Sequence, residues 1–354
     1  MLRAMLERDT NYDGVFFTAV HTTGIFCRPT CAARKPLPQN VSFYLTADEA
    51  MAAGFRPCQR CMPSQTDLTP QWVRSLIEAT EAQPERRWTD ELLRERGLEP
   101  VRVRRWFKSQ FGMTFHTYLR NRRLGLALDR LDRGGSIDAV AHDVGYESVS
   151  GFRDAFQQVF RAPPGDSNSL LALDFTRIQT PLGPMLAMAE ERGLVLLEFL
   201  DRPVMPREVE ELRARFGYGV RPGTNAHLIQ IQKQLEEYFA GARREFSVPL
   251  VTPGGAFEVS VWQCLLQVPF GVMRSYGDLA KQLGKPGASR AVGAANGRNR
   301  IAIVIPCHRI CGANGDLVGY GGGRARKQWL LDHERRIVGR FVQEVFPLMG
   351  DVQA

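Results

Sequence analysis

The chain has 354 residues, 44% hydrophobic and 24% charged, with 33 Gly and 21 Pro. That excludes a collagen-like or low-complexity chain and leaves room for two to four folding domains. No run approaches the ~18 apolar residues of a membrane span, and the charged start Met1–Asp9 lacks the apolar core of a secretory signal, so a cytoplasmic protein with no membrane partner is expected. The net charge of +8 favours an acidic partner, and seven cysteines, an odd number, argue against a disulfide scaffold.

In chain order, two breaker-rich stretches, 62–70 and 162–169, divide the sequence into blocks of about 1–65, 70–162 and 172–346. The first block offers short strand-like runs at Val15–Val20 and Val41–Leu45 and a helical stretch from Ala47 to Gly54, with too little apolar content to fold without a staple. Its cysteines supply one: Cys27-x3-Cys31 followed by Cys58-x2-Cys61 is a spacing that closes a four-thiolate tetrahedron around one Zn(2+). A purely structural zinc, buried free thiols and an iron–sulfur cluster stay open at this point.

The middle block shows apolar residues at helical spacing: Trp72, Val73, Leu76 and Ile77, then Leu92, Leu93, Val103, Trp106, Phe107 and Phe111. Gly97 interrupts two helices and Gly112 closes the second; a long helix is predicted from Thr114 to Leu131, and Ser148 is placed to cap a helix carrying Phe152 and Phe156. Helix, glycine turn, helix thus occurs twice, which suits two recognition helices entering adjacent major-groove segments without dimerisation. Eleven basic residues against four acidic ones between Arg86 and Arg123 fit a DNA partner. Arg102, Arg104, Arg105 and Lys108 on the first recognition helix, and Arg153 and Gln157 on the second, are candidates for base contact, phosphate contact or plain solvation, while Trp106, Phe107, Phe152 and Phe156 belong to the core.

The last block opens with strand-like pieces at Asp174–Gln179, Met185–Ala189 and Val195–Leu200, then helices at about 206–216, 226–240, 256–267, 276–283, 288–296 and 325–337. Pro306-Cys307-His308-Arg309 pairs a thiol with an imidazole that is expected to lower the thiol pKa and raise its thiolate fraction. Cys264 is expected to be a buried small hydrophobe. Gly321-Gly322-Gly323 lacks the strand-to-helix context of a nucleotide loop.

Three resemblances follow from these residues. His21 to Arg34, Asn40 to Tyr44 and Ala53 to Cys61 resemble the amino-terminal module of the bacterial Ada adaptive-response proteins, which implies that Cys27, Cys31, Cys58 and Cys61 bind zinc and that Cys27 accepts a methyl group from a DNA methylphosphotriester. Gly145 to Pro164 is similar to the signature of AraC-type activators; Arg96 to Pro100 departs from that pattern at the first turn. Ala256 to Glu334 resembles the O6-alkylguanine-DNA alkyltransferases. That last likeness implies Cys307 as acceptor for methyl from O6-methylguanine and O4-methylthymine, His308 as its base through a water, Glu334 as orienter of the histidine and Asn299 as holder of the turn. Tyr276 and Arg290 would assist nucleotide extrusion, which chemistry on a stacked base requires. Cys311 and Arg274 depart from the family pattern.

The expected architecture is therefore multidomain α+β: a four-cysteine zinc module (1–67), an all-α double helix-turn-helix domain (70–165), and an α+β alkyltransferase domain (172–346) with a β-rich subdomain (172–250) and a helical catalytic subdomain (255–338). The expected function is that of a methylation-activated transcription regulator and single-turnover repair methyltransferase. It would use one zinc ion and no S-adenosylmethionine, with double-stranded DNA and RNA polymerase as partners and a monomeric state. The competing readings are a DNA-binding regulator whose carboxy-terminal domain binds alkylated DNA without accepting the methyl, and a cysteine hydrolase.

Overall fold

The computed structural model describes residues 1–9, 12, 16–44, 47–61, 63, 70–84 and 86–345. The breaker-rich stretch 62–70 lies almost wholly outside them, as do Val15, Leu45 and the boundaries at 67 and 346. Among the described residues no helix is long and apolar enough to cross a membrane.

The chain starts with α1 (Leu2–Glu7) and then builds a four-stranded sheet in the order β3-β1-β2-β4 from β1 (Phe17–Val20), β2 (Ile25–Cys27), β3 (Val41–Tyr44) and β4 (Arg56–Pro57), with α2 (Ala47–Ala52) before β4. Among the described residues, Phe17, Ala19, Phe26 and Ala50 form its own buried cluster, the thin core that the composition of this block implies. Strands β2 and β4 have no counterpart in the sequence pattern; three and two residues long, they carry no readable alternation and exist through pairing with β1 and with each other.

Six helices follow: α3 (Gln71–Ala82), α4 (Asp90–Glu95), α5 (Pro100–Phe111), α6 (Phe115–Asp132), α7 (Ile137–Asp143) and α8 (Val149–Phe160). Thr89, Thr114, Ser136 and Ser148 each cap a helix by accepting from the backbone N–H three residues on. Helix α5 is the exception: Glu99 makes no side-chain cap and Pro100 opens the helix instead. The stretch 162–169 is not an open linker, since Pro164–Ser169 winds into a 3-10 turn.

The last block forms a sheet ordered β7-β6-β5-β8 from β5 (Ala172–Thr180), β6 (Gly183–Glu190), β7 (Gly193–Phe199) and β8 (Gly219–Pro222), with α9 (Met205–Phe216) before β8 and α10 (Ala226–Phe239) after it. Then come α11 (Ala256–Leu266), β9 (Arg274–Ser275), α12 (Tyr276–Gln282), α13 (Ser289–Gly297), β10 (Ile310–Cys311) and α14 (Arg324–Val345). Along β6, Met185, Ala187 and Ala189 point into the core shared with α10, α11 and α14, while Leu186 and Met188 point into the core shared with α9 and the first helix-turn-helix. Both faces are covered, so β6 and β7 read as apolar runs rather than alternating ones.

The helix-turn-helix block is keyed to this sheet by two glycines. A Cβ at Gly125, in the middle of α6, would lie 2.7 Å from Arg221 Cδ, and one at Gly219 on β8 would overlap Phe160 Cδ1. Arg221 also bridges Asp129 and Asp174 at 2.7 Å each, and Asn121 donates to the Val220 carbonyl at 3.2 Å. Gly219→Val is expected to push Phe160 out of place, at a cost of about 1–3 kcal/mol. Limited proteolysis is then expected to open the chain between residues 161 and 171 sooner than in the parent; unchanged cleavage would count against the keyed contact.

Candidate functional site: a four-thiol cluster, two recognition helices and a buried thiol array

Strand pairing sets Cys27 opposite Thr18, and Cys58 N–H donates to the Phe26 carbonyl, so the two cysteine pairs converge. The sulfurs of Cys27, Cys31, Cys58 and Cys61 all lie within 4.8 Å of one another. Arg28 N–H donates to Cys61 Sγ at 3.3 Å and Ala33 N–H to Cys31 Sγ at 3.5 Å, backbone dipoles that favour thiolates. Without a cation the four cannot all ionise: Cys61, held by Cys27 and Arg28, falls to about 6, Cys31 is pushed up to about 11 by burial, and Cys27 rises well above the ordinary thiol range through its bond to Cys61 and burial. Four soft donors with mutually repelling charges fit one zinc ion. Cys27, Cys31 and Cys58 open onto a cavity of about 510 Å³ whose lining includes the cations Arg28, Arg34 and Lys35.

On α5, Arg102, Arg105 and Lys108 are exposed, as are Arg153 and Gln157 on α8. The guanidinium of Arg102 lies 4.9 Å from the centroid of the Trp72 ring, and Arg104 turns back to Asp90 at 3.5 Å and to the Pro100 carbonyl, which ties down the turn that lacks a serine-like cap. Phe107, Phe152 and Phe156 are fully buried; Trp106 is only half-buried, against Trp72.

The third cluster is enclosed. Asn299 Nδ2 donates to Cys307 Sγ at 3.1 Å and to the Ile305 carbonyl at 2.9 Å, and its Oδ1 accepts from Ile301 N–H. Within that loop Ile303 has φ 71°, a conformation a β-branched side chain adopts only when its surroundings impose it. His308 Nε2 lies 2.8 Å from Glu334 Oε1, and both residues are fully buried. Glu334 also accepts from Arg309 and from Gly271 N–H at 2.9 Å. Despite burial, its carboxyl is held far below the usual range by His308 and Arg309. A carboxylate at Nε2 fixes the proton there and leaves Nδ1 as the basic nitrogen. Among the described residues that Nδ1 bonds to no protein group, nor does the Tyr320 hydroxyl.

The Cys307 thiol is not lowered by its neighbour but pushed up to about 11, because complete burial outweighs the bond from Asn299. His308 is likewise lowered by burial, so the resting pair is neutral thiol and neutral imidazole.

Tyr276 begins α12, its half-buried ring against Gly293 of α13, and burial together with Cys307 and Cys311 raises its phenol pKa. Arg290 stands exposed on α13. Cys311 is buried and donates to the Arg274 carbonyl at 3.3 Å. Cys264 is half-buried rather than buried, since it sits toward the outer side of α11. Three further buried groups join the site without being foreseen from the sequence: Tyr238, which donates to Glu334 at 2.9 Å; Arg309; and Lys327, whose ammonium is bound to the Ile310, Val318 and Gly319 carbonyls. An arginine inside the Pro-Cys-His-Arg run is the one readable signal among them; a lysine or tyrosine in an amphipathic helix carries none.

A thiol acceptor array behind paired helices, joined to a four-cysteine centre and a double helix-turn-helix, defines the class of DNA-directed cysteine methyltransferases carrying regulatory modules. Family models agree: "Metal binding domain of Ada" matches residues 1–64, "Helix-turn-helix domain" 92–168, and the ribonuclease-like and DNA-binding domains of 6-O-methylguanine DNA methyltransferase 173–252 and 256–336. The bifunctional transcriptional activator/DNA repair enzyme Ada of Escherichia coli is 35% identical over 344 residues, 94% of this chain and 95% of that protein. The chain belongs to the Ada family. The methylated-DNA–protein-cysteine methyltransferase of Mycobacterium leprae is 43% identical over 161 residues, 46% of this chain and 92% of its own. Among solved structures, the Mycobacterium tuberculosis enzyme in complex with DNA is 40% identical over 47% of this chain and 94% of that one, with a TM-score of 0.40.

Proposed function

We propose that this chain transfers methyl groups from O6-methylguanine to Cys307 and from DNA methylphosphotriesters to Cys27, and that the second event converts it into a promoter-binding transcription activator. The observation that carries the reading is the array itself: a nucleophilic sulfur fixed by Asn299, next to an imidazole whose tautomer Glu334 sets.

The flipped base enters beside Tyr276, with Arg290 filling the vacated stack; flipping costs a few kcal/mol, less at a weakened pair. Because the thiol rests protonated, its proton leaves as the reaction proceeds, to His308 Nδ1 through a water. Sulfur attacks the methyl carbon, the S–C bond forms, and the electron pair of the O6–CH3 bond returns to the base, which takes up one proton to become guanine. The product thioether is not cleaved by water, so each molecule acts once and needs no S-adenosylmethionine. At the other end Cys27, Cys31, Cys58 and Cys61 hold zinc, which keeps the sulfurs as thiolates near neutral pH. Cys27 takes the methyl of a phosphotriester, leaving a phosphodiester anion, and the site loses one negative charge.

Arg102, Arg105, Lys108, Arg153 and Gln157 contact the promoter. One chain carries both recognition helices and therefore works as a monomer, in the cytoplasm, with RNA polymerase as its partner in activation. The domains run 1–67, 70–165 and 172–346.

Intact mass and peptide mapping of zinc-loaded protein after exposure to DNA bearing both lesions test this. One methyl each on Cys307 and Cys27 is expected. Methyl on neither would replace the reading with a regulator that only binds alkylated DNA.

A further inference from the structure

Glu334 Oε1 is an unusually crowded oxygen. It receives His308 Nε2 at 2.8 Å, Arg309 Nη2 at 3.0 Å and the Tyr238 hydroxyl at 2.9 Å. Tyr238 comes from α10, in the β-rich half of the domain, and is fully buried with its ring among Phe246, Phe270 and His333. A buried tyrosine needs one partner for its hydroxyl, and any carbonyl would serve; this one reaches across to the charged atom that holds the histidine.

We infer that Tyr238 is a positioning residue for methyl transfer: by donating to Glu334 Oε1 it weakens that oxygen's hold on the His308 proton, so that His308 stays neutral and basic at Nδ1 at mildly acidic pH. This rests on the reading of Cys307 as the methyl acceptor. A donor on a carboxylate lowers its proton affinity and draws charge away from its other partners. Burial keeps the Tyr238 phenol protonated, well above its ordinary pKa, so it donates across the working range. The other charged or titratable groups facing the pair are Arg309 and Cys307 from the active-site turn, Lys327 and His333 from α14, and Tyr320 from the loop before it; Glu198 and Arg202 act on Cys307 from β7 and the turn after it. The Tyr238 hydroxyl bonds to Glu334 and not to these groups, so its removal takes a bond from none of them directly.

The test is the pH profile of single-turnover methyl transfer to Cys307 in the full zinc-loaded chain. In Tyr238→Phe, Glu334 grips the imidazolium more tightly, so His308 takes up its second proton at higher pH. The acidic limb is expected to move up by about one pH unit, as for loss of a hydrogen bond to a charged group. On the acid side of both limbs transfer then falls about tenfold, while the alkaline plateau stays within about threefold. In a Glu334→Gln background the same substitution is expected to move nothing further, because the two act as one unit. Should Tyr238→Phe fold poorly, 3-fluorotyrosine at position 238 keeps the shape and strengthens the donor, and the limb is expected to move down. A uniform loss of rate with an unmoved limb, or a limb moving the other way, overturns the inference. If the parent chain itself takes no methyl on Cys307, the functional reading fails instead.

Discussion

Glu334→Ala is expected to slow methyl transfer to Cys307 by about 10²–10⁴-fold, the range general-base assistance supplies, and to destabilise the domain by about 3–5 kcal/mol. Both effects come from one carboxylate. Removing it frees His308 to carry its proton on either nitrogen, and Nδ1 loses its fixed lone pair. It also strands the buried Arg309 cation, which keeps the Val268 carbonyl at 2.7 Å but loses its counter-charge, and it leaves Tyr238 and Gly271 N–H without an acceptor. Single-turnover rates and urea melts separate the two; a rate within threefold of the parent would remove Glu334 from the chemistry.

The same array predicts how the parent responds to pH. The Glu334 pKa is depressed in the fold, so the unfolded chain takes up that proton first once the pH falls below the usual carboxylate range, and stability drops there. His308 is also depressed, so stability already begins to fall as the pH drops below about 6.5. Cys307 is displaced upward to about 11, and its share is lost at the other end, as the pH rises from about 9 toward that value.

What is readable in the sequence depends on how local the cause is. Helix starts at Thr89, Thr114 and Ser148 are written in the side chain that caps them, and the four-cysteine spacing encodes its own closure. Strand β8 is different. Four residues beginning with Gly219 and ending with Pro222 have no strand signature; the strand forms because β5 offers a parallel partner and Asn121 donates to Val220 from another domain. Helix α1 has no side-chain cap, and its Ala4 and Met5 are buried in the core of the last domain. Helix α14 runs on to Val345, past the predicted end near 337, and Gly339 sits inside it without the positive φ with which a glycine closes a helix. The Cys307-His308 neighbourhood is visible in the sequence, but the sign of the thiol shift is not, since it depends on burial that only the assembled loops create.

Stripping zinc is expected to unfold the amino-terminal sheet while leaving methyl transfer to Cys307 within about twofold. The sheet buries four small or aromatic side chains of its own, and a structural four-cysteine site contributes an apparent ~10–16 kcal/mol to such a module. Hydrogen exchange on β1 to β3 and metal content report the first effect, and labelled O6-methylguanine DNA reports the second. Cys31→Ala and Cys61→Ala are expected to reproduce the chelated state, whereas Cys27 differs from them in what its methylation does to DNA binding. A methyl on Cys27 takes away one negative charge beside the cavity whose lining includes Arg28, Arg34 and Lys35. At about 4 Å from a phosphate that charge is worth on the order of 4 kcal/mol as an upper bound at an effective dielectric of 20. Methylated protein should therefore bind promoter DNA more tightly, by a margin that shrinks as salt shortens the screening length. Equal affinity before and after methylation at low salt would leave Cys27 as an acceptor without a switch, because the repulsion it removes is then not what limits binding.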